Sequence, residues 1–427
     1  MQKSSVAPHP ERRRVALTGA GIVSCLGRSL GDVARRLQAG TSGVQAMPQW
    51  QRLGVRSLVA GVVAGAAEQA AWRRAADMPK ELMLGMSDAA FHCALAAQDA
   101  VRDAGLGAGD LAGPRVACIV GNASFGMASA AFEHAKLADA GEARRIPPFT
   151  LLQCMSSSAS AAVANLLRMN GPSYSIAAAC ATSAHNIGHA MQLIRSGQAD
   201  VVLAGGGEEV DGFVAASFEA MRTALSTRFN ATPPLASRPF DAGRDGIVLA
   251  SGAGIVVLEA LEHAQARGAR VRAELAGYGA TSDGHSLVAP RPDGAQAAAC
   301  MRQAIADAAL APEEIDYVNA HATSTPAGDA AEVRALRQVF GEHLPPVSST
   351  KSMTGHALAA AGVHELIYCL AMMDEGFIAP SINVFDLDPQ FADLPLVRQA
   401  RPARLRAMLS NNFGFGGSNA ALVMLAP

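Results

Sequence analysis

Cys180 lies in Ser175-Ile176-Ala177-Ala178-Ala179-Cys180-Ala181-Thr182-Ser183-Ala184-His185, where a strand-like run ends and a helical run begins. Ile187, Ala190, Met191 and Ile194 follow at i, i+3, i+4 and i+7, the spacing of a helix face. A thiol at a first helical turn faces unpaired backbone N–H groups and the positive end of the helix dipole. That placement favours thiolate over thiol and predicts a nucleophile near neutral pH. A lone cysteine is more often a small buried hydrophobe. Here the flanking run of tiny side chains points the other way, because it lets a bulky acyl partner reach the sulfur. His321 stands in Val318-Asn319-Ala320-His321-Ala322-Thr323-Ser324-Thr325-Pro326, and His356 closes Ser348-Ser349-Thr350-Lys351-Ser352-Met353-Thr354-Gly355-His356. A lone histidine is more often structural or exposed. Each of these sits in a small, polar turn ahead of a helical run, the surroundings of an imidazole that works with a nucleophile, and residue types alone leave both readings open. A fourth stretch, Ser410-Asn411-Asn412-Phe413-Gly414-Phe415-Gly416-Gly417-Ser418-Asn419, has many amides under little side chain. It suits an oxyanion donor, and it also reads as a plain glycine hairpin.

Strands and helices alternate along the chain, which predicts an α/β fold. Strands read at 14–17, 116–120, 174–177, 200–204 and 250–259, then at 271–279, 317–319, 347–349, 408–411 and 420–425. The reading divides the chain into a flexible tail (1–13), a half bearing the cysteine (14–260) and a half bearing the histidines (261–427). No repeat is visible between the halves. Glu365 falls on the apolar stripe Leu358, Gly362, Leu366, Cys369, Met373, so a partner or a cation must hold its carboxylate.

Half of the 427 residues are apolar and 5% aromatic, and the net charge is -2. Such a balance implies neither a nucleic-acid nor a membrane surface. Seven cysteines without paired spacing predict neither a disulfide framework nor a zinc site. A reducing, cytoplasmic setting fits. The polar start, with Arg12-Arg13-Arg14, is no signal peptide, and no apolar run reaches a membrane span.

Taken together, Ala179 through His185, Ala204 through Glu209, Arg244-Asp245-Gly246, His321 through Pro326, Thr350 through His356 and Asn412 through Asn419 resemble the β-ketoacyl-acyl-carrier-protein synthases. The resemblance is to the elongating type I/II class and is nearest synthase I, through Gly376 to Asn383. It runs from about Val15 to Met424. It implies a duplicated thiolase-like αβαβα layered fold with mixed five-stranded sheets. The implied reaction is a decarboxylative Claisen condensation between an acyl-enzyme and malonyl-acyl-carrier protein in fatty acid elongation.

By that resemblance Cys180 carries the acyl group, and the amides of Cys180 and Phe415 form the oxyanion hole. His321 and His356 stabilise an enolate as neutral imidazoles. Lys351 is an active-site lysine paired with Glu332, and Phe413 supports the site. Thr323 and Thr325 bind the pantetheine arm, while Ser124 and Phe125 gate the acyl pocket, with Ser124 small enough to leave it open. Asn319, Glu365, Ser410 and Asn411 match a structural sodium or potassium site, and a hydrogen-bonded Glu365 explains the same pattern. No cofactor is implied beyond the carrier's phosphopantetheine. The implied partners are acyl carrier protein and a second copy of the chain, through the strand at 171–177, with a ketosynthase-like heterodimer as the alternative.

Two departures stand out. Ala322 replaces the family's glycine, and the carrier-docking patch retains only Lys80, with Glu81 reversed in charge. Arg144, Arg145 and Lys136 are substitutes. These keep a dedicated aryl polyene or other type II polyketide ketosynthase as an alternative pathway. A non-catalytic chain-length subunit would lack the cysteine, a thiolase would carry a second cysteine where Phe413 and Phe415 stand, and a hydrolase would not need the Lys351–His356 turn.

Overall fold

The computed structural model describes residues 12–123, 127–221 and 225–427. Ten strands form its main sheet: β1 (Val15–Val23), β2 (Val116–Gly121), β3 (Ser173–Tyr174), β4 (Val201–Glu208), β5 (Gly252–Ala260), β6 (Ala273–Ser282), β7 (Tyr317–Asn319), β8 (Val347–Ser348), β9 (Ala407–Gly414) and β10 (Ser418–Leu425). Their order is β8-β7-β9-β10-β6-β1-β5-β4-β2-β3. The first five and the last five strands therefore follow one plan. In each set the spatial order is third, second, fourth, fifth, first. The first pairs antiparallel with the fifth, the fifth with the fourth, and the remaining pairs are parallel. The chain is thus a duplication at the level of topology. The two five-stranded halves join into one hydrogen-bonded sheet through only two residue pairs, Ala16 with Glu274 and Leu17 with Ala273.

Five helices build the layers: α1 (Asp88–Asp103), α2 (Thr182–Arg195), α3 (Ala295–Asp307), α4 (Pro326–Phe340) and α5 (Ala361–Glu375). The helical stripe read after Cys180 becomes the buried face of α2. Ile187, Met191 and Ile194 pack with Leu366, Ile367 and Leu370 of α5 in a core that touches strands of both halves. α1 covers the outer face of the first half, and α3 and α4 cover that of the second.

The duplication extends to close packing. Gly19 and Gly21 of β1 lie against the backbone of α1, and Gly277 and Gly279 of β6 lie against α3. A Cβ at Gly21 would stand 2.0 Å from the Ala96 carbonyl oxygen, and one at Gly279 would stand 2.0 Å from that of Cys300. Only hydrogen fits there.

Three expectations change. Residues 1–11 of the tail lie outside the described residues, but Arg12 and Arg13 are anchored: Arg12 pairs with Asp307, and Arg13 with Asp200 and Glu262. Charge on the chain end has found partners on the body. The strand expected to run to Ala177 stops at Tyr174, because side chains take the next polar groups. Ser175 Oγ donates to the Val120 carbonyl, the Ile176 N–H donates to Asn186 Oδ1, and the Ala178 N–H donates to Thr182 Oγ1. Most other strands are longer than read, since glycine-rich ends such as Gly205-Gly206-Gly207 still pair. Among the described residues no helix is long and apolar enough to cross a membrane.

Gly21→Ala forces β1 and α1 apart and should cost about 3 kcal/mol of stability, the upper part of the range for overpacking. Urea unfolding measures this, and an unchanged midpoint contradicts the packing account.

Candidate active site

Cys180 sits in a tight turn, Ala179–Ala181, just before α2. Ala179 takes a left-handed φ of 48°, uncommon for a residue with a side chain. The strain is held by neighbours: Thr182 caps the Ala178 N–H, and Ser183 Oγ accepts from the Val363 N–H of α5 at 3.0 Å. The nucleophile turn of one half is thereby fixed to a helix of the other.

The amides of Phe415 and of Cys180 itself lie near enough to the sulfur to pull its pKa down. Phe415 follows Gly414 at the end of β9. A Cβ on Gly414 would meet the Ala178 carbonyl oxygen at 2.8 Å and the Cys180 nitrogen at 3.2 Å. The glycine is what lets the two turns approach. The Phe415 ring leans on Phe218, 5.7 Å away between centroids. Next in the chain, the Gly416 N–H donates to the Leu287 carbonyl, tying the turn to a rim segment.

The expected low thiol pKa is not found. Burial pushes the Cys180 thiol up to about 11, against the pull of the Phe415 amide and the Lys351 ammonium. Cys180 precedes the helix in a separate turn, and loss of water outweighs the dipole. The resting group is a thiol held where a thiolate would be stabilised by two amides.

His321 lies just past the carboxyl end of β7. His356 comes after the neighbouring parallel strand β8 and the short helix Lys351–Thr354, where its backbone bridges to Leu249. Their rings meet edge to face, 5.1 Å apart. Burial holds both well below the ordinary histidine pKa, and the Lys351 charge adds to the effect. Both rings are therefore neutral at pH 7. Neither ring nitrogen of His356 has a protein partner, nor does Nδ1 of His321. Phe413 packs 5.8 Å from the His321 ring.

Glu332 does not pair with Lys351. Its carboxylate accepts from the His321 N–H at 2.9 Å, the Ala322 N–H at 2.7 Å and Asn411 Nδ2 at 3.1 Å. It shapes the His321 turn. The lysine's partner is Glu365, which also accepts from Asn412 Nδ2 at 2.7 Å. Both members of this pair are 2% exposed. Burial raises Glu365 to about 7 despite the lysine. The reason is geometric: Asn411 and Asn412 are consecutive on β9, point to opposite faces of the sheet, and each holds one of the two carboxylates.

The same alternation bears on the implied cation site. Asn411 turns toward Glu332 and Met301, while Glu365 is held by Lys351 and Asn412, and Asn319 turns to Thr350 and Cys369. The Ser410 hydroxyl and Asn411 Oδ1 are buried without a protein partner. Asn319 and Glu365 are held by protein partners, whereas Ser410 and Asn411 each keep an unpartnered oxygen. Among the described residues no group of three His, Cys, Asp or Glu side chains is disposed to hold a metal.

Cys180, His321, His356, Thr323, Thr325, Phe413 and Phe415 line one cavity of about 340 Å³. Its walls are largely apolar, with Val288, Ala289 and Pro290 at one side. The Ala322 methyl is buried in the second-half core, so the departure from glycine is absorbed. Ser124 and Phe125 lie outside the described residues. The sequence reading missed Gly414, Asn412 and the Glu365 pairing; the signal for the last was an acid on an apolar stripe.

A buried sulfur under two amides, facing two neutral imidazoles in an apolar cavity, suits acyl transfer through a thioester. Comparison with known proteins agrees with that class. The beta-ketoacyl synthase N-terminal domain matches residues 12–264, and the C-terminal domain of the same family matches residues 272–385. The chain belongs to the β-ketoacyl synthase family. It is 43% identical to 3-oxoacyl-[acyl-carrier-protein] synthase 1 of Haemophilus influenzae over 416 residues, 96% of this chain and 98% of that one. It is also 43% identical to the synthase of the same name from Escherichia coli K12 over 413 residues, with the same coverage. Among solved structures, a beta-ketoacyl synthase from Burkholderia phymatum superposes with a TM-score of 0.90 at 34% identity, covering 97% of this chain and 100% of that one. A type II polyketide ketosynthase in complex with its acyl carrier protein superposes with a TM-score of 0.87 at 31% identity, covering 98% and 100%.

With the thiol at about 11, alkylation of Cys180 by iodoacetamide should speed up about tenfold per pH unit from pH 7 to 9. Peptide mass spectrometry follows the rate, and a plateau below pH 8 contradicts the resting thiol.

Proposed function

We propose that this chain condenses an acyl group held on Cys180 with malonyl-acyl-carrier protein, releasing carbon dioxide and a 3-oxoacyl-acyl-carrier protein, in fatty acid elongation. The observation that carries this reading is the placement of the Cys180 and Phe415 amides at the sulfur, with His321 and His356 in the same cavity. The 43% identity to two elongating synthases favours this pathway over a polyketide one, whose structural neighbour is 31% identical.

In the first step the Cys180 sulfur bonds to the thioester carbon. The carrier's C–S bond breaks and the thiol proton ends on the carrier sulfur. The oxyanion formed meanwhile accepts from the amides of Cys180 and Phe415, donors fixed in the backbone. In the second step malonyl thioester loses carbon dioxide, and its carbonyl oxygen takes up negative charge. His321 and His356 donate to that oxygen. An imidazole that is neutral and buried gives a strong hydrogen bond there. The carbanion then attacks the acyl carbon, the C–S bond to Cys180 breaks to leave a thiolate, and a proton from solvent water restores the thiol. Burial keeps the histidines neutral, and Lys351, bound to Glu365, adds to that effect. Thr323 and Thr325 hold the pantetheine arm at the mouth.

The partners follow. Acyl carrier protein delivers both substrates, and exposed Arg144, Arg145 and Lys136 offer positive charge to an acidic carrier. A second copy of the chain covers the outer edge at β3, where Tyr174 is exposed beside a bare sheet edge. Leu151, Leu152 and Met155 add exposed apolar surface. The compartment is the cytoplasm.

Cys180→Gln should lose elongation of acyl-carrier protein but continue to release labelled carbon dioxide from malonyl-carrier protein, because the histidines remain. Loss of both activities in a folded variant contradicts the division of labour. Light scattering at micromolar concentration should give twice the chain mass, and a monomer mass would refute the paired edge.

A further inference from the structure

The turn between β7 and α4 contains a strained residue with no assigned task. Ser324 has a φ of 71°, in the left-handed region, and is fully buried. Serine adopts this conformation rarely, and such strain persists only where surroundings impose it. Here they do so from both sides. The Arg238 N–H donates to Ser324 Oγ at 3.2 Å, and the Gly246 N–H donates to its carbonyl at 3.1 Å. Arg244 reaches the carbonyl of Pro326 at 3.5 Å. The clamp, 238–246, comes from the first half of the chain and grips a turn of the second.

The consequence is visible one residue to each side. In an extended chain, side chains two apart share a face but stand roughly 7 Å from each other. The hydroxyls of Thr323 and Thr325 are 3.2 Å apart, and both residues line the cavity. The left-handed bend at Ser324 folds them together. Thr325 Oγ1 also accepts from the Gly328 N–H at 3.2 Å. One of the two hydroxyl protons joins the pair, so one donor is left for a ligand. A single donor beside apolar walls matches a ligand acceptor such as an amide carbonyl.

We propose that Ser324, clamped by 238–246, is a positioning residue that converges Thr323 and Thr325 into one grip for an amide carbonyl of the substrate's arm. This rests on the reading that the two threonines hold the pantetheine arm.

The test compares octanoyl thioesters of pantetheine and of mercaptoethanol, which share the acyl group and thioester while only the first carries amides. Intact mass reports acylation of Cys180. Ser324→Val, β-branched and unfavourable at positive φ, should slow acylation by octanoyl-pantetheine roughly tenfold. Acylation by octanoyl-mercaptoethanol and alkylation by iodoacetamide should keep the parent rates. Ser324→Gly, which accepts the bend freely, should recover most of the loss. If Ser324→Val does not fold, Ser324→Ala carries the test: it removes the Arg238 contact, and it too should lose rate with pantetheine alone. Equal losses on both thioesters, or no loss on either, overturn the proposal. The double variant Thr323→Ala/Thr325→Ala separates the two readings. If it keeps the preference for pantetheine, arm binding by the threonines is wrong. If it loses the preference and the Ser324 variants keep it, only the role of Ser324 is wrong.

Discussion

The site depends on one buried ion pair. Lys351 and Glu365 lie under the histidines, almost sealed from water. Removing an ammonium and a carboxylate from water costs several kcal/mol each, recovered only when geometry and further hydrogen bonds are good. Asn412 supplies such a bond to Glu365, and the Lys351 charge in turn presses both imidazoles toward their neutral form. Burial does most of that work on the imidazoles, and the nearby lysine adds to it. The same charge draws the Cys180 thiol downward, yet burial of the sulfur wins. Desolvation thus acts with the lysine on the histidines and against it on the cysteine.

The duplicated topology explains how the groups meet. Cys180 follows the third strand of the first half, and His356 follows the third strand of the second. His321 follows the second strand of its half. The central helices α2 and α5 pack on each other between the halves, and the bond from Val363 to Ser183 stitches their starts together. Equivalent strand ends are brought face to face by helices that share one core. The glycine pairs 19/21 and 277/279 do the corresponding work outside, letting α1 and α3 sit directly on the first strand of each half.

Much of the chemistry was legible along the chain. Cys180 stands among tiny side chains and His321 and His356 in small, polar turns. The glycine-rich stretch around Phe415 marked a loop able to offer amides, though not the close approach at Gly414. The helix after Cys180 and the alternation of strands and helices were readable from spacing. The strand beyond Tyr174 was misread because its apolar look hides that Ser175, Asn186 and Thr182 claim its polar groups. The partner of Lys351 was misread because two acids, Glu332 and Glu365, are both buried nearby and only side-chain direction separates them.

What the sequence alone determined is local: which residues could be nucleophile, donor or base, which turns hold them, and where helical faces are apolar. Those properties follow from residue type and period, which a linear chain displays. Tertiary structure decided everything that depends on distance between remote segments. It decided that the thiol is raised, because desolvation comes from neighbours far apart in sequence. It decided that Asn411 and Asn412 hold different carboxylates, because strand pleating sends adjacent side chains to opposite faces. It also decided that two halves without visible repeat share one strand order, since topology survives wherever a hydrophobic pattern does, whatever the individual residues.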